Sequence, residues 1–137
     1  MELLAKTPTV KAPAERFTGD VWVDMLAIGE APSRLTAAAV HFAPCARTAW
    51  HRHALGQTLH VTEGIGLVQT RDGRTIVLRP GDTVHTPPGE WHWHGAAPEH
   101  FMTHIALSES AGLADAPDVE WGEHVSDERY GKAAQSI

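Results

Sequence analysis

Residues 45–64 read CARTAWHRHALGQTLHVTEG, and residues 81–96 read GDTVHTPPGEWHWHGA. Each stretch holds an HxH pair: His51 and His53 in the first, His92 and His94 in the second. On an extended strand, side chains two apart share a face. His51 and His53 therefore point one way while Trp50 and Arg52 point the other. His92 and His94 likewise oppose Trp91 and Trp93. Two such strands in one small β-domain can converge on a single interior point. Imidazole nitrogens bind borderline divalent metals, and three or four neutral donors leave positions open for substrate. One HxH pair alone is weak, because surface or core-satisfied histidines use the same spacing. The wider spacing adds specificity. The first stretch runs Cys45, five residues, His51, one, His53, three, Gln57, six, Gly64. The second runs Gly81, five residues, Pro87, one, Gly89, two, His92.

Working outward, short apolar runs alternate with turn signals. Strands are expected over 21–28, 35–42, 49–53, 57–62, 66–69, 75–78, 82–86, 91–94 and 101–107. Asp72-Gly73 marks a hairpin between two of them. Short strands at intervals near ten residues predict an all-β sandwich or barrel. Residues 1–16, with two prolines, are expected to form an extended N-terminal arm, docked on a neighbouring subunit. Residues 126–134 are expected to form a short C-terminal helix with Ser126 as its N-cap. Residues 17–137 then make one domain, a size that suits a single core.

The charge balance is acidic, 17 Asp and Glu against 11 Lys and Arg, and carries no basic stripe. That argues against nucleic acid as a partner. No apolar run approaches a membrane span, and the first 20 residues lack the order of a signal peptide. A cytoplasmic protein with no membrane partner is expected. A single cysteine, Cys45, excludes an internal disulfide and is expected to be a buried thiol.

The two spaced stretches resemble the paired motifs of the cupin family, G-x5-HxH-x3,4-E-x6-G and G-x5-PxG-x2-H-x3-N. The resemblance implies an all-β cupin jelly-roll β-barrel whose motifs lie at 45–64 and 81–96. By position, the family's metal ligands fall on His51, His53, Gln57 and His92. Three positions depart from the pattern: Cys45 stands for the first glycine, Gln57 for the glutamate and Ala96 for the final asparagine. His94 lies outside the ligand set, although alternation turns it to the same cavity. For Gln57 the competing reading is a solvated turn residue after Gly56.

Further stretches, FTGDVWVD at 17–24, AAAVHF at 37–42, ARTAWH at 46–51 continuing through His53 to LGQT at 55–58, PGE at 88–90, HWHGAAP at 92–98, MTHIA at 102–106 and EHVSDERY at 123–130, are similar to the small bacterial cupins with hydroxynitrile lyase activity. That resemblance implies cleavage of a cyanohydrin to an aldehyde or ketone plus hydrogen cyanide. It implies a divalent metal, manganese first, with iron, zinc and nickel as alternatives. His94 is the first candidate for proton transfer. His104 is the second, against a reading as a buried histidine bonded to a backbone carbonyl. Ala38, Val40 and Phe42 share one strand face, as do Leu59 and Val61 beside Gln57. These five form the expected substrate pocket, and each is also compatible with ordinary core packing.

Glutamine in the carboxylate position changes the charge. Three imidazoles and one amide leave a divalent ion its full +2, which favours anions and polarises a bound hydroxyl more strongly. His41 and His60 fall on opposite faces and are excluded. His85 is ambiguous beside the PxG turn, and His100 and His124 have no supporting pattern. Arg47 is expected in an inter-strand salt bridge, and Trp50, Trp91 and Trp93 between sheets or subunits. Three functional classes stay open: the lyase, an iron-dependent dioxygenase on the same ligands, and a non-enzymatic binding cupin. A small-molecule substrate and a homodimer or homotetramer are expected.

Overall fold

The computed structural model describes residues 1–113 and 116–137. Among these, thirteen strands and one helix form: β1 (Val10–Lys11), β2 (Phe17–Thr18), β3 (Val21–Ile28), β4 (Leu35–Phe42), β5 (Arg47–Thr48), β6 (His51–His53), β7 (Gln57–Gly64), β8 (Gly66–Thr70), β9 (Thr75–Leu78), β10 (Thr83–Thr86), β11 (His92–Ala96), β12 (Met102–Glu109), β13 (Val119–Trp121) and α1 (Asp127–Ala134). One sheet runs β1-β3-β4-β12-β7-β10. The other runs β13-β6-β11-β5-β2, with β8 joined to β11 and β9. The paired strands are antiparallel throughout. The two curled sheets face each other as a jelly-roll barrel.

Alternation sets the interior. Val40 and Phe42 of β4, Val61 of β7, Val68 of β8 and Met102 of β12 pack in one buried cluster between the sheets. A second cluster lies on the outer side of the second sheet, where Trp50, Leu67 and Trp93 meet Val125, Tyr130 and Ala133. The expected location of the tryptophans is corrected here. Trp50 and Trp93 are covered by the C-terminal segment, because outward positions on β11 and beside β6 face α1. Ser126 caps that helix through a bond from Arg129 N, and the Tyr130 hydroxyl donates to Ala96 O at 2.7 Å. Arg47 is buried and bonds Val125 O and Asp127. Its ion pair therefore joins a strand to the helix, not two strands.

The expected strand over 49–53 is interrupted. Ala49 N pairs with Arg16 O and Trp50 N with Glu123 O, so these two residues are claimed by other segments and only His51–His53 continues. The arm closes partly on its own chain, as Val10 and Lys11 pair with Val23 and Trp22 of β3. Cys45 is exposed, contrary to the expected buried thiol. Its φ of 69° is left-handed, a conformation glycine favours, and the resulting surface turn leaves Sγ outside the core. On β7, Thr62 is an extra residue. Thr103 pairs with Glu63 and His104 with Val61, a bulge that leaves Met102 and His104 buried.

Gly64 shows why the motif ends in glycine. Its φ is +78°, and a Cβ there would collide with the carbonyl of Phe101. Gly73 also has a positive φ, +92°, but faces open space. Gly73→Ala should therefore cost only the left-handed penalty of about 1–2 kcal/mol. Gly64→Ala should cost at least about 3 kcal/mol, because backbone must move as well. Urea denaturation of the two variants measures the difference. Equal losses would mean the collision is relieved without cost.

Candidate metal centre

The antiparallel neighbours β6 and β11 place His51 directly opposite His92. His53 follows on the same face of β6. The ligand nitrogens of His51, His53 and His92 lie within 4.8 Å of one another, and all three residues are buried. Gln57 opens β7 in the facing sheet, and its Oε1 stands 3.1 Å from His92 Nε2. Gln57 is itself buried, which removes the reading as a solvated turn residue.

The protonation states follow from the surroundings. Nδ1 of His51 faces Ala49 O at 3.0 Å, and Nδ1 of His92 faces Glu90 O at 3.0 Å. A neutral imidazole has one N–H. Each ring donates it outward to the carbonyl, and Nε2 is left with a bare lone pair. Burial, then the neighbouring His92, holds His51 well below the usual imidazole range. Burial lowers His92 too, and burial followed by His92 brings His53 to about 4. His53 Nε2 is buried with no hydrogen-bond partner. Gln57 also faces His51 and His53. Acceptors thus converge on acceptors, and burial opposes the protons that would relieve them. Each unsatisfied buried polar atom costs about 1–3 kcal/mol. A divalent cation relieves all of them at once, so this donor set fits one.

A second polar contact lies alongside. His104 Nε2 and His94 Nδ1 are 3.0 Å apart, joining β12 of one sheet to β11 of the other. His104 therefore bonds an imidazole, not the backbone carbonyl of the competing reading. Burial first, then His104 and the three other histidines, holds His94 well below its usual range. Burial brings His104 to about 4. His94 Nε2 is buried without a partner. The His94 ring centre lies 5.2 Å from that of His51 and 5.8 Å from that of His92.

Of the expected pocket residues, Ala38, Val40, Phe42 and Val61 sit in the inter-sheet cluster, and Leu59 is buried beside them on β7. Phe42 touches the site most directly, 5.8 Å from His94 and 5.3 Å from His104 between ring centres. The site reaches the surface at two places. A cavity of about 170 Å³ includes Gln57 with Leu35, Leu55 and Leu107. Another of about 250 Å³ includes His53 with Arg52 and Glu120. His41 and His60, excluded by parity, and the ambiguous His85 are not in the donor cluster, although His85 borders the cavity that includes Gln57. His41 bonds Asp24 and Thr103, His60 bonds Thr83 and His85 bonds Thr58. His100 and His124 are exposed.

Trp121 was missed by the sequence reading. It lies opposite His51 on β13 and stacks on that imidazole at 4.7 Å and 27°. β13 is three residues long and lacks the turn-bounded apolar run that marked the other strands. The stretch EHVSDERY begins two residues later, and that proximity was the available signal.

The known proteins this chain is similar to agree with that geometry. A family profile described as Cupin domain matches residues 38–103, a span that includes His51, His53, Gln57 and His92. The (R)-mandelonitrile lyase of Granulicella tundricola is 50% identical over 120 residues, covering 88% of this chain and 89% of that protein. A crystal structure of a cupin-like protein from Thermotoga maritima is 38% identical with a TM-score of 0.87, and each chain is covered completely. The polyketide cyclase RemF from Streptomyces resistomycificus shares the fold at 20% identity, with a TM-score of 0.69 over 99% of this chain and 97% of that one. With identity of this order across most of its length, and with the paired histidine motifs folded onto neighbouring strands of one sheet, the chain belongs to the cupin family.

Proposed function

We propose that this cupin is a divalent-metal-dependent lyase that cleaves cyanohydrins to an aldehyde or ketone and hydrogen cyanide, and runs the addition in reverse. The observation that carries the reading is the pairing of two features. One is a buried set of neutral donors fit for a cation. The other is the unpartnered Nε2 of His94 beside it. The 50% identity to a protein named (R)-mandelonitrile lyase supports the substrate class.

His51, His53, His92 and Gln57 would hold the ion, manganese in the first instance. When bound, a divalent ion supplies Lewis acidity that lowers the pKa of a substrate hydroxyl. The chain's own residues do the rest. In the productive tautomer His94 donates from Nδ1 to His104 Nε2, which leaves His94 Nε2 free as a base. That nitrogen accepts the hydroxyl proton as the C–O bond becomes a carbonyl. The electron pair of the C–CN bond leaves with cyanide, and the same nitrogen returns the proton to it. His104 acts as the acceptor that steadies His94 while it carries the extra proton. Phe42, Val40 and Leu59 wall the interior with apolar surface and exclude water. The neutral amide of Gln57 leaves the site more positive than a carboxylate would, which favours a departing anion.

Two measurements test the assignment. Protein supplied with Mn²⁺ should cleave mandelonitrile, and ferrous protein should consume no oxygen in a parallel assay; the opposite pattern would replace the lyase with an oxygenase. His94→Ala should retain its metal and lose about 100-fold or more in turnover, whereas His53→Ala should lose the metal itself. Full activity in the first variant removes the proton-transfer role. A full metal complement in the second removes the ligand assignment.

Gln57→Glu should weaken azide binding to the metal-loaded protein by about tenfold or more, since a unit charge within a few ångströms of the ion is worth kilocalories even at an effective dielectric constant near 20. Unchanged azide affinity would show that the amide was not selected by charge.

A further inference from the structure

We infer that Trp121 is a positioning residue for His51, and that β13 straps this ligand in place so that metal release is slow. The inference rests on the metal-centre reading and concerns residues outside the donor set. The three histidines are not restrained alike. His51 and His92 are each tied by one bond from Nδ1 to a carbonyl, and a ring held by one bond can still tilt about it. His53 borders a surface cavity. His92 also meets Gln57 and His94, but only His51, among the described residues, has an indole stacked on its ring, at 4.7 Å. Among the described residues, no other tryptophan or phenylalanine ring packs on His51, His53 or His92. With His92 at 4.3 Å and Trp121 both against it, the His51 imidazole has little room to swing its Nε2 away.

The indole is itself held by two consecutive residues near the start of the chain. The guanidinium of Arg16 lies over it at 5.2 Å, and Phe17 packs on it at 5.8 Å. The main chain around it is fixed by Gly122 N to Trp50 O at 2.7 Å and Trp50 N to Glu123 O at 3.0 Å. Ion pairs from Arg52 to Glu120 and from Arg71 to Glu123 flank it. Release of a chelated ion proceeds by ligands swinging away one after another. A ligand that cannot tilt keeps its lone pair aimed at the ion and recaptures it. Contacts that orient metal ligands typically alter affinity by about 10–100-fold.

The experiment uses full-length protein loaded with Co²⁺ and mixed with excess EDTA, and follows loss of the Co²⁺ d–d absorption. Trp121→Ala should release the ion about tenfold faster and shift the absorption band, because the ligand field changes when His51 tilts. Trp121→Phe should restore a rate near the parent's, since it keeps a flat ring. Trp121→Leu should release quickly, since it keeps bulk without a ring face. If Trp121→Ala fails to fold by circular dichroism, the Phe and Leu pair decides: Phe slow and Leu fast supports the strap, and equal rates overturn it. A folded Trp121→Ala variant with the parent's rate and spectrum also overturns it. Failure of the parent to bind Co²⁺ at all would sink the metal-centre reading instead.

Discussion

Two polar contacts cross the interior of this barrel, Gln57 Oε1 to His92 Nε2 at 3.1 Å and His104 Nε2 to His94 Nδ1 at 3.0 Å. Each brings buried groups of the two sheets together. Buried polar groups are tolerated when they are partnered, yet here three imidazole nitrogens, His53 Nε2, His94 Nε2 and His104 Nδ1, are left without a partner. The surrounding apolar cluster makes that incompleteness chemically potent. It keeps the histidines neutral, and therefore available as ligands and bases.

The opposite face of the same strands does the structural work. Arg and Trp side chains alternate there: Arg129 and Arg71 lie over Trp50 at 5.2 and 4.2 Å, and Arg71 and Arg52 lie over Trp91 at 5.3 and 4.9 Å. Contacts of this kind contribute about 0.5–2 kcal/mol each, more than the exposed ion pairs that accompany them. They fasten α1 and the β8–β9 turn to Trp50 beside β6, and join Arg52 of β6 to Trp91. One HxH strand thus presents chemistry inward and fastening outward, because its side chains alternate.

Much of this was legible in the residues. Alternation put His51, His53, His92 and His94 on one face, and the β3, β4 and β9 boundaries follow directly from apolar runs between turn residues. The exclusion of His41 and His60 followed from the same parity. Parity says nothing about which segment covers an outer face, so the tryptophans were assigned to sheets or subunits when α1 covers Trp50 and Trp93. It also says nothing about backbone competition, which is why the 49–53 strand was drawn through Ala49 and Trp50. Cys45 was misjudged because a lone thiol is usually buried, whereas its left-handed turn holds it at the surface.

By itself the sequence determined the facing of each histidine, since that depends only on the two-residue repeat of an extended chain. The spacing of its glycines and prolines likewise determined where the chain had to turn. Only the tertiary structure decided which side chains meet. His94 finds His104, Gln57 reaches His92 and Trp121 covers His51 across separations of 10, 35 and 70 residues. Such contacts depend on strand pairing and on the curl that brings two sheets together, neither of which is encoded at any single position.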